Sequence, residues 1–259
     1  MPQAGRKAKE REPVERGTGR MATRAKFHRF GELTETAINV DYQVHTTQTD
    51  GEATVADILA AAQAKKLGGI AFTEHVRKAT QWFPSFVSEV RTKAAAFPDL
   101  RVHVGCEAKA LDIHGSLDAP QTILDASDLV LGSVHRFPDG KGGYLDFDTM
   151  SAAAVADMEF ALAMGLVKSA PISVLAHPGG MYERRHGKFP ADYFRELMHA
   201  TLERGIAIEI NSSYLVDFDS YLQMCAEIDP IVSIGSDAHK LQELGTCRDK
   251  LRARGVTRQ

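Results

Sequence analysis

Cysteine is scarce in this chain of 259 residues. There are three, Cys106, Cys225 and Cys247, and no two stand close together. An odd, dispersed set excludes a disulfide framework and a cysteine zinc site. No run approaches the roughly 18 consecutive apolar residues of a membrane helix. The N-terminus has no apolar stretch of the signal-peptide kind. A reducing, cytoplasmic setting with no membrane partner is therefore expected. A Gly-x-Ser-x-Gly nucleophile elbow is missing, as are internal repeats and any Pro- or Ser-rich linker through the body. What is present is 44% hydrophobic and 25% charged residues, which excludes wholesale disorder. At about 100–200 residues per domain, the length fits one large domain.

Charge is unevenly spread. Residues 1–30 hold nine Lys or Arg against three acids, so the remainder holds 22 bases and 31 acids, a net of −9. Residues 1–30 read as a flexible basic tail and 31–259 as a single domain. An acidic body is a poor match for a nucleic-acid surface, where neutralising phosphate dominates affinity. It suits a protein that collects cations.

From residue 38 onward, strand-like and helix-like segments alternate. Strands are expected at Ile38–Val44, Gly69–Thr73, Arg101–Cys106, Leu129–Ser133, Ile172–Ala176, Ile206–Ile210 and Ile231–Gly235. Each is short and rich in Val, Ile or Leu, as buried parallel strands are. Helices are expected at Thr54–Lys66, Phe83–Phe97, Ser151–Met164, Pro190–Arg204, Asp219–Glu227 and Thr246–Arg254, with Thr54 and Ser151 as N-caps and Gly165 closing the third. This alternation implies a parallel sheet with right-handed crossovers, and a closed barrel in preference to an open sheet.

In such folds, functional groups gather beyond the carboxyl ends of the strands. His45, His75, Glu107, His135 and His177 follow the first five strands in turn, and Asp237 and His239 follow the seventh. Taken singly, a His after a strand is more often a loop residue, and Asp50-Gly51 or His177-Pro178 is more often a turn. Together they would converge on one rim. Imidazoles and carboxylates crowded at one point repel or desolvate one another unless a cation compensates them. That chemistry suits two or three divalent ions such as Zn, Mn or Fe.

At these residues the sequence resembles the PHP family, named for polymerase and histidinol phosphatase. The motifs are Asp41-Tyr42-Gln43-Val44-His45, Thr49-Asp50-Gly51, Thr73-Glu74-His75, Gly105-Cys106-Glu107, Gly132-Ser133-Val134-His135, Ala176-His177-Pro178 and Gly235-Ser236-Asp237-Ala238-His239. The resemblance spans about residues 38–240. It implies a distorted (β/α)7 barrel with up to three metal ions at the C-terminal ends of the strands. Carried over, position 43, His45, Glu107 and Asp237 would surround one ion. Glu107 would bridge to a second that also has His135 and His177, and Asp50, His75 and His239 would surround the third. Among these ligands, Glu107, Asp237 and His239 are the catalytic candidates. The family pattern has His-x-His where this chain has Gln43-Val44-His45. An amide oxygen is a weaker donor than imidazole nitrogen, so the first ion should be held less tightly.

The function implied is removal of phosphate from a small phosphorylated metabolite, as by a histidinol phosphatase. Adjacent divalent ions would lower the pKa of a bridging water to supply hydroxide for in-line attack on phosphorus, with no covalent enzyme intermediate. Arg136, Arg184, Arg185, Lys188 and Asn211 are the substrate-binding candidates, with Arg184, Arg185 and Lys188 expected in a loop after His177, since Arg forks match phosphate oxygens. Alternatives are a phosphodiesterase or exonuclease of PHP type, or a metal-binding module whose catalysis Gln43 has weakened. Oligomeric state is not read from the sequence.

Overall fold

The computed structural model describes residues 25–257. Its strands are β1 (His28–Arg29), β2 (Val40–Val44), β3 (Gly69–His75), β4 (Arg101–Lys109), β5 (Val130–Ser133), β6 (Val174–Leu175), β7 (Ala207–Asn211) and β8 (Ile231–Gly235). The helices are α1 (Glu35–Ile38), α2 (Val55–Ala64), α3 (Phe83–Ala94), α4 (Gln121–Ala126), α5 (Ala152–Ser169), α6 (Gly180–His186), α7 (Ala191–Arg204), α8 (Phe218–Ile228) and α9 (Thr246–Ala253). Strands β2 to β8 are the seven expected from their apolar runs, and each pairs in parallel with the next in sequence. The two ends of this series meet again. Val44 and Ala238 form a parallel bridge, and His45 N donates to Ala238 O at 2.9 Å. No further ladder joins β2 to β8, so the seven strands make a distorted barrel that is stitched at the mouth rather than hydrogen-bonded along a full seam.

The expected basic tail falls mostly outside the described residues. Its last part belongs to the body: β1 pairs antiparallel with β8, and Phe27 and Phe30 pack on the core. Arg29 Nε is 2.8 Å from Asp229 Oδ2, which ties this segment to the end of α8. Charge and a scarcity of large apolar residues marked these residues as tail, yet the two phenylalanines pack on the core.

Local sequence explains the helices. Thr54 caps α2 in a reciprocal capping box with Asp57. Ser151 caps α5, and Gly205 ends α7 in a left-handed conformation. Two expectations fail. The basic segment with Arg184 and Arg185 is not a loop but helix α6. Gly165 does not close α5, which continues to Ser169. Its role is close approach: a Cβ there would lie 2.3 Å from the Ile113 carbonyl oxygen. Gly165→Ala is accordingly expected to cost about 2–3 kcal/mol, because backbone must move to admit the methyl. The check is a lower urea midpoint at unchanged m-value. Among the described residues no helix is long and apolar enough to cross a membrane.

Candidate metal centre

Strand alternation sends every second side chain to one face. On β2 and just past it this aligns Asp41, Gln43 and His45. On β4 it aligns Gly105 and Glu107, on β7 Glu209 and Asn211, and at β8 Gly235 with Asp237. The register sets His75 opposite Glu107 across β3 and β4, and Asn211 opposite Gly235 across β7 and β8. A Cβ at Gly235 would stand 2.0 Å from Glu209 Oε1, so glycine there leaves room for that carboxylate.

Glu107 is the hub. Its Oε1 lies 2.9 Å from Nε2 of both His135 and His177. Its Oε2 lies 3.3 Å from His45 Nε2 and 3.4 Å from His75 Nδ1. Asp237 Oδ1 adds a contact of 3.1 Å to His45 Nε2. Asp50 Oδ2 is 3.3 Å from His75 Nε2, and its Oδ1 is 3.4 Å from His239 Nε2. Three groups each bring their ligand atoms within 4.8 Å of one another: His45, Asp50, His75 and His239; His75, Glu107 and His135; and His45, Glu107 and Asp237. All eight His, Asp and Glu residues picked out from the sequence thus lie in one cluster. His75 touches Glu107 as well as Asp50, a double role not expected from the motifs.

The cluster fits divalent ions by a test internal to the molecule. His45 is 1% exposed, yet neither ring nitrogen makes a hydrogen bond. Such a group is costly when left unmade. Its Nε2 nonetheless faces two carboxylate oxygens, and convergence of a nitrogen with carboxylate oxygens is what a cation needs. Electrostatics agree. Burial alone would raise the Glu107 carboxyl, but His135 and His75 outweigh it and hold it well below the usual range. Burial would lower His177, but Glu107 outweighs that and pushes it up to about 9.

The supporting residues are stiff. His177 and Asp237 hold positive φ, 27° and 49°, which side chains with a Cβ seldom adopt. His177 N donates to Glu209 Oε2 at 2.8 Å, and Ala238 N donates to Gln43 O at 3.1 Å, so the backbone is pinned at both places. Asp41 accepts from Ser236 N at 2.9 Å and Gly245 N at 2.7 Å. Glu74 accepts from Thr46 N at 2.9 Å and from the Thr49 hydroxyl, which anchors the turn bearing Asp50.

Gln43, expected as a donor to the first ion, is engaged otherwise. Its Nε2 donates to Glu107 Oε2 at 3.1 Å, and its Oε1 accepts from Asn211 Nδ2 at 3.0 Å. Asn211 is buried, so it holds Gln43 and Glu209 rather than reaching substrate. The four basic candidates separate. The Arg184 guanidinium lies 4.1 Å over the Tyr214 ring, which stacks on His177 at 4.5 Å. Arg185 lies over Phe147 at 4.1 Å, and exposed Arg136 over Tyr144 at 5.5 Å. Lys188 Nζ is tied to Asp217 at 2.5 Å.

Sequence reading missed Glu209 and Tyr214. Glu209 is 1% exposed, and burial pushes its carboxyl up to about 7. The signal for it was available, since Glu209 shares the inward alternation of Asn211. Tyr214 had no such signal, because it lies beyond β7 in a turn.

Comparison with known proteins places this geometry. A protein of Caldicellulosiruptor bescii is 29% identical over 72% of this chain and 73% of its own length. One of Caldicellulosiruptor saccharolyticus is 27% identical over 81% and 84%. Both bear the name "Probable phosphatase". A Listeria monocytogenes crystal structure, described as a "putative histidinol phosphatase", superposes with a TM-score of 0.60 at 15% identity, covering 80% of this chain and 97% of that one. That likeness concerns the fold. The PHP domain model matches residues 41–213, the stretch that runs from β2 through β7 and supplies seven of the nine ligand candidates, and by that match the chain belongs to the PHP domain family.

Proposed function

We propose that this PHP protein is a metal-dependent phosphatase that removes phosphate from a small phosphorylated metabolite, in the manner of a histidinol phosphatase, with the reaction at the cluster centred on Glu107. The observation that carries this reading is His45, a buried imidazole without hydrogen bonds that faces two carboxylates. The proposed ligands are His45, Asp50, His75, Glu107, His135, His177, Asp237 and His239. Divalent ions bound there would acidify water and neutralise phosphoryl oxygens. The chain's own residues would orient the ester. Glu107 aligns four imidazoles at once, and Glu209 fixes the backbone of His177. Arg184 stands over Tyr214 and thereby beside His177, where its guanidinium would meet the phosphate.

The test is a screen of phosphorylated metabolites and a generic phosphomonoester with protein loaded with Mn, Zn or Fe. Turnover that chelation abolishes is expected. Protein that keeps two or more ions but hydrolyses no phosphomonoester would sink the phosphatase reading in favour of a binding module. Turnover restricted to phosphodiesters would select the nuclease-like alternative. A substitution refines the assignment. Arg184→Ala is expected to raise KM about tenfold with metal content unchanged, the effect of losing one charge-assisted hydrogen bond. Lys188→Ala should leave KM unchanged, because its ammonium is held on Asp217.

A further inference from the structure

The amide of Gln43 can point in two ways, and its neighbours select one. Asn211 Oδ1 accepts from the backbone N–H of Ser213 at 2.9 Å and of Tyr214 at 3.3 Å. A backbone N–H can only donate, so Asn211 must turn its oxygen toward these groups and its NH2 away from them. That NH2 donates to Glu209 Oε2 at 3.1 Å and to Gln43 Oε1 at 3.0 Å. Gln43 must then give its oxygen to Asn211 and its NH2 to Glu107 Oε2, 3.1 Å away. Glu107 Oε2 is the atom that also faces His45 Nε2 at 3.3 Å. All four side chains are buried, and each finds a hydrogen-bond partner within this set or on the backbone.

We infer that Asn211 is a positioning residue that locks Gln43 as a hydrogen-bond donor, and that the cation position between His45, Glu107 and Asp237 is for this reason the weakest and most exchangeable of the centre. The inference rests on reading the cluster as a metal centre. Two physical effects act in the same direction. The positive N–H end of the amide faces the place where a cation would sit. One lone pair of Glu107 Oε2 is also used by that N–H, which leaves less electron density for an ion. Among the described residues, the groupings around His135 with His177, and around Asp50 with His75 and His239, meet no side-chain amide; the Thr49 hydroxyl, 3.3 Å from Asp50 Oδ1, also donates to Glu74.

The measurement is a Mn(II) titration of the intact chain by calorimetry, with elemental analysis after desalting. Wild-type protein is expected to retain two ions and to bind a third at least about tenfold more weakly. Asn211→Asp replaces the donor with an acceptor, which lets Gln43 turn its oxygen toward Glu107. The third ion should then bind about tenfold more tightly. Gln43→His places imidazole at the same point without altering Asn211, and the same tightening is expected, so the test stands even if Asn211→Asp does not fold. Three ions of equal affinity in wild-type protein overturn the inference and leave the metal centre intact. So does a third affinity that Gln43→His leaves unchanged. Wild-type protein that binds at most one ion overturns the metal centre itself, and the inference with it.

Discussion

Glu107→Gln is expected to lower kcat/KM toward phosphomonoesters by about three orders of magnitude or more, a loss on the order of 4 kcal/mol in transition-state stabilisation. The substitution keeps volume and removes charge. Each carboxylate oxygen of Glu107 serves more than one partner: Oε1 faces His135 and His177, and Oε2 faces His45 and His75. An amide can present one oxygen only, so its NH2 would meet either the first pair or the second. Gln43, held as a donor, takes the oxygen on the Oε2 side, so the NH2 is aimed at His135 and His177, where the cation position loses its carboxylate and gains an N–H. Metal content should fall below two ions per chain, and the rise in Tm that metal produces in wild-type protein should largely vanish. Unchanged far-ultraviolet circular dichroism would separate this from misfolding. A variant that retained two ions and activity within tenfold of wild type would remove Glu107 from the centre of the chemistry.

Metal-free protein is expected to lose stability as pH rises from about 5 to 9, by on the order of 10 °C in Tm, and bound metal should reverse the trend. Three buried carboxyls set the first part. Burial pushes Asp41 up from 3.8 to about 6, and Glu159 and Glu209 from 4.5 to about 7. In each, the folded state binds its proton more tightly than the unfolded chain. Stability is therefore present at acid pH and declines as pH climbs through the folded value. A two-unit shift of this kind is worth about 3 kcal/mol. His177 and His45 act in the same direction at higher pH. Burial opposes their charge, but Glu107 holds His177 at about 9, and Asp237 with Glu107 holds His45 well above the ordinary imidazole range. Their contribution is complete below 6.5 and is lost above it. His135, lowered by burial, opposes the trend only below 6.5. Glu107 and Asp237 are lowered and lose their contribution in acid, outside this window.

Metal inverts the sign because imidazole and carboxylate bind an ion in their deprotonated forms, so affinity grows with pH. Glu159 supplies a control that is not itself a proposed ligand. It sits on α5 and accepts from Met181 N at 3.0 Å and Tyr182 N at 2.8 Å. Glu159→Gln should flatten the slope of the metal-free protein and leave its metal response alone. Thermal unfolding of chelated and loaded protein across pH 5–9 provides the measurement. A metal-free Tm that stayed level or rose with pH would refute the account.

The barrel was legible because parallel strands buried on both faces need continuous apolar runs, and seven such runs stand in the chain. The cluster was legible because strand ends in such a fold share one rim, so His45, His75, Glu107, His135, His177, Asp237 and His239 could be grouped by position alone. Groups whose meaning depends on a neighbour far along the chain were not legible. Gly165 reads as a helix stop and is instead the gap into which the Ile113 carbonyl fits. Phe27 and Phe30 lie in a basic stretch, and the pairing of β1 with β8, together with the Tyr42 ring against Phe27, gives them a place.

Gln43 draws the line between the two kinds of knowledge. Its identity alone said that imidazole was missing and that the first ion would be held weakly. Which end of its amide faces Glu107 was decided by two backbone N–H groups at Ser213 and Tyr214, about 170 residues away, acting through Asn211. Residue type and order determined the fold, the cluster and the chemistry that the cluster can perform, because those follow from periodicity and ligand character. The direction of each hydrogen bond belonged to tertiary structure, because a donor is assigned only by what stands opposite it.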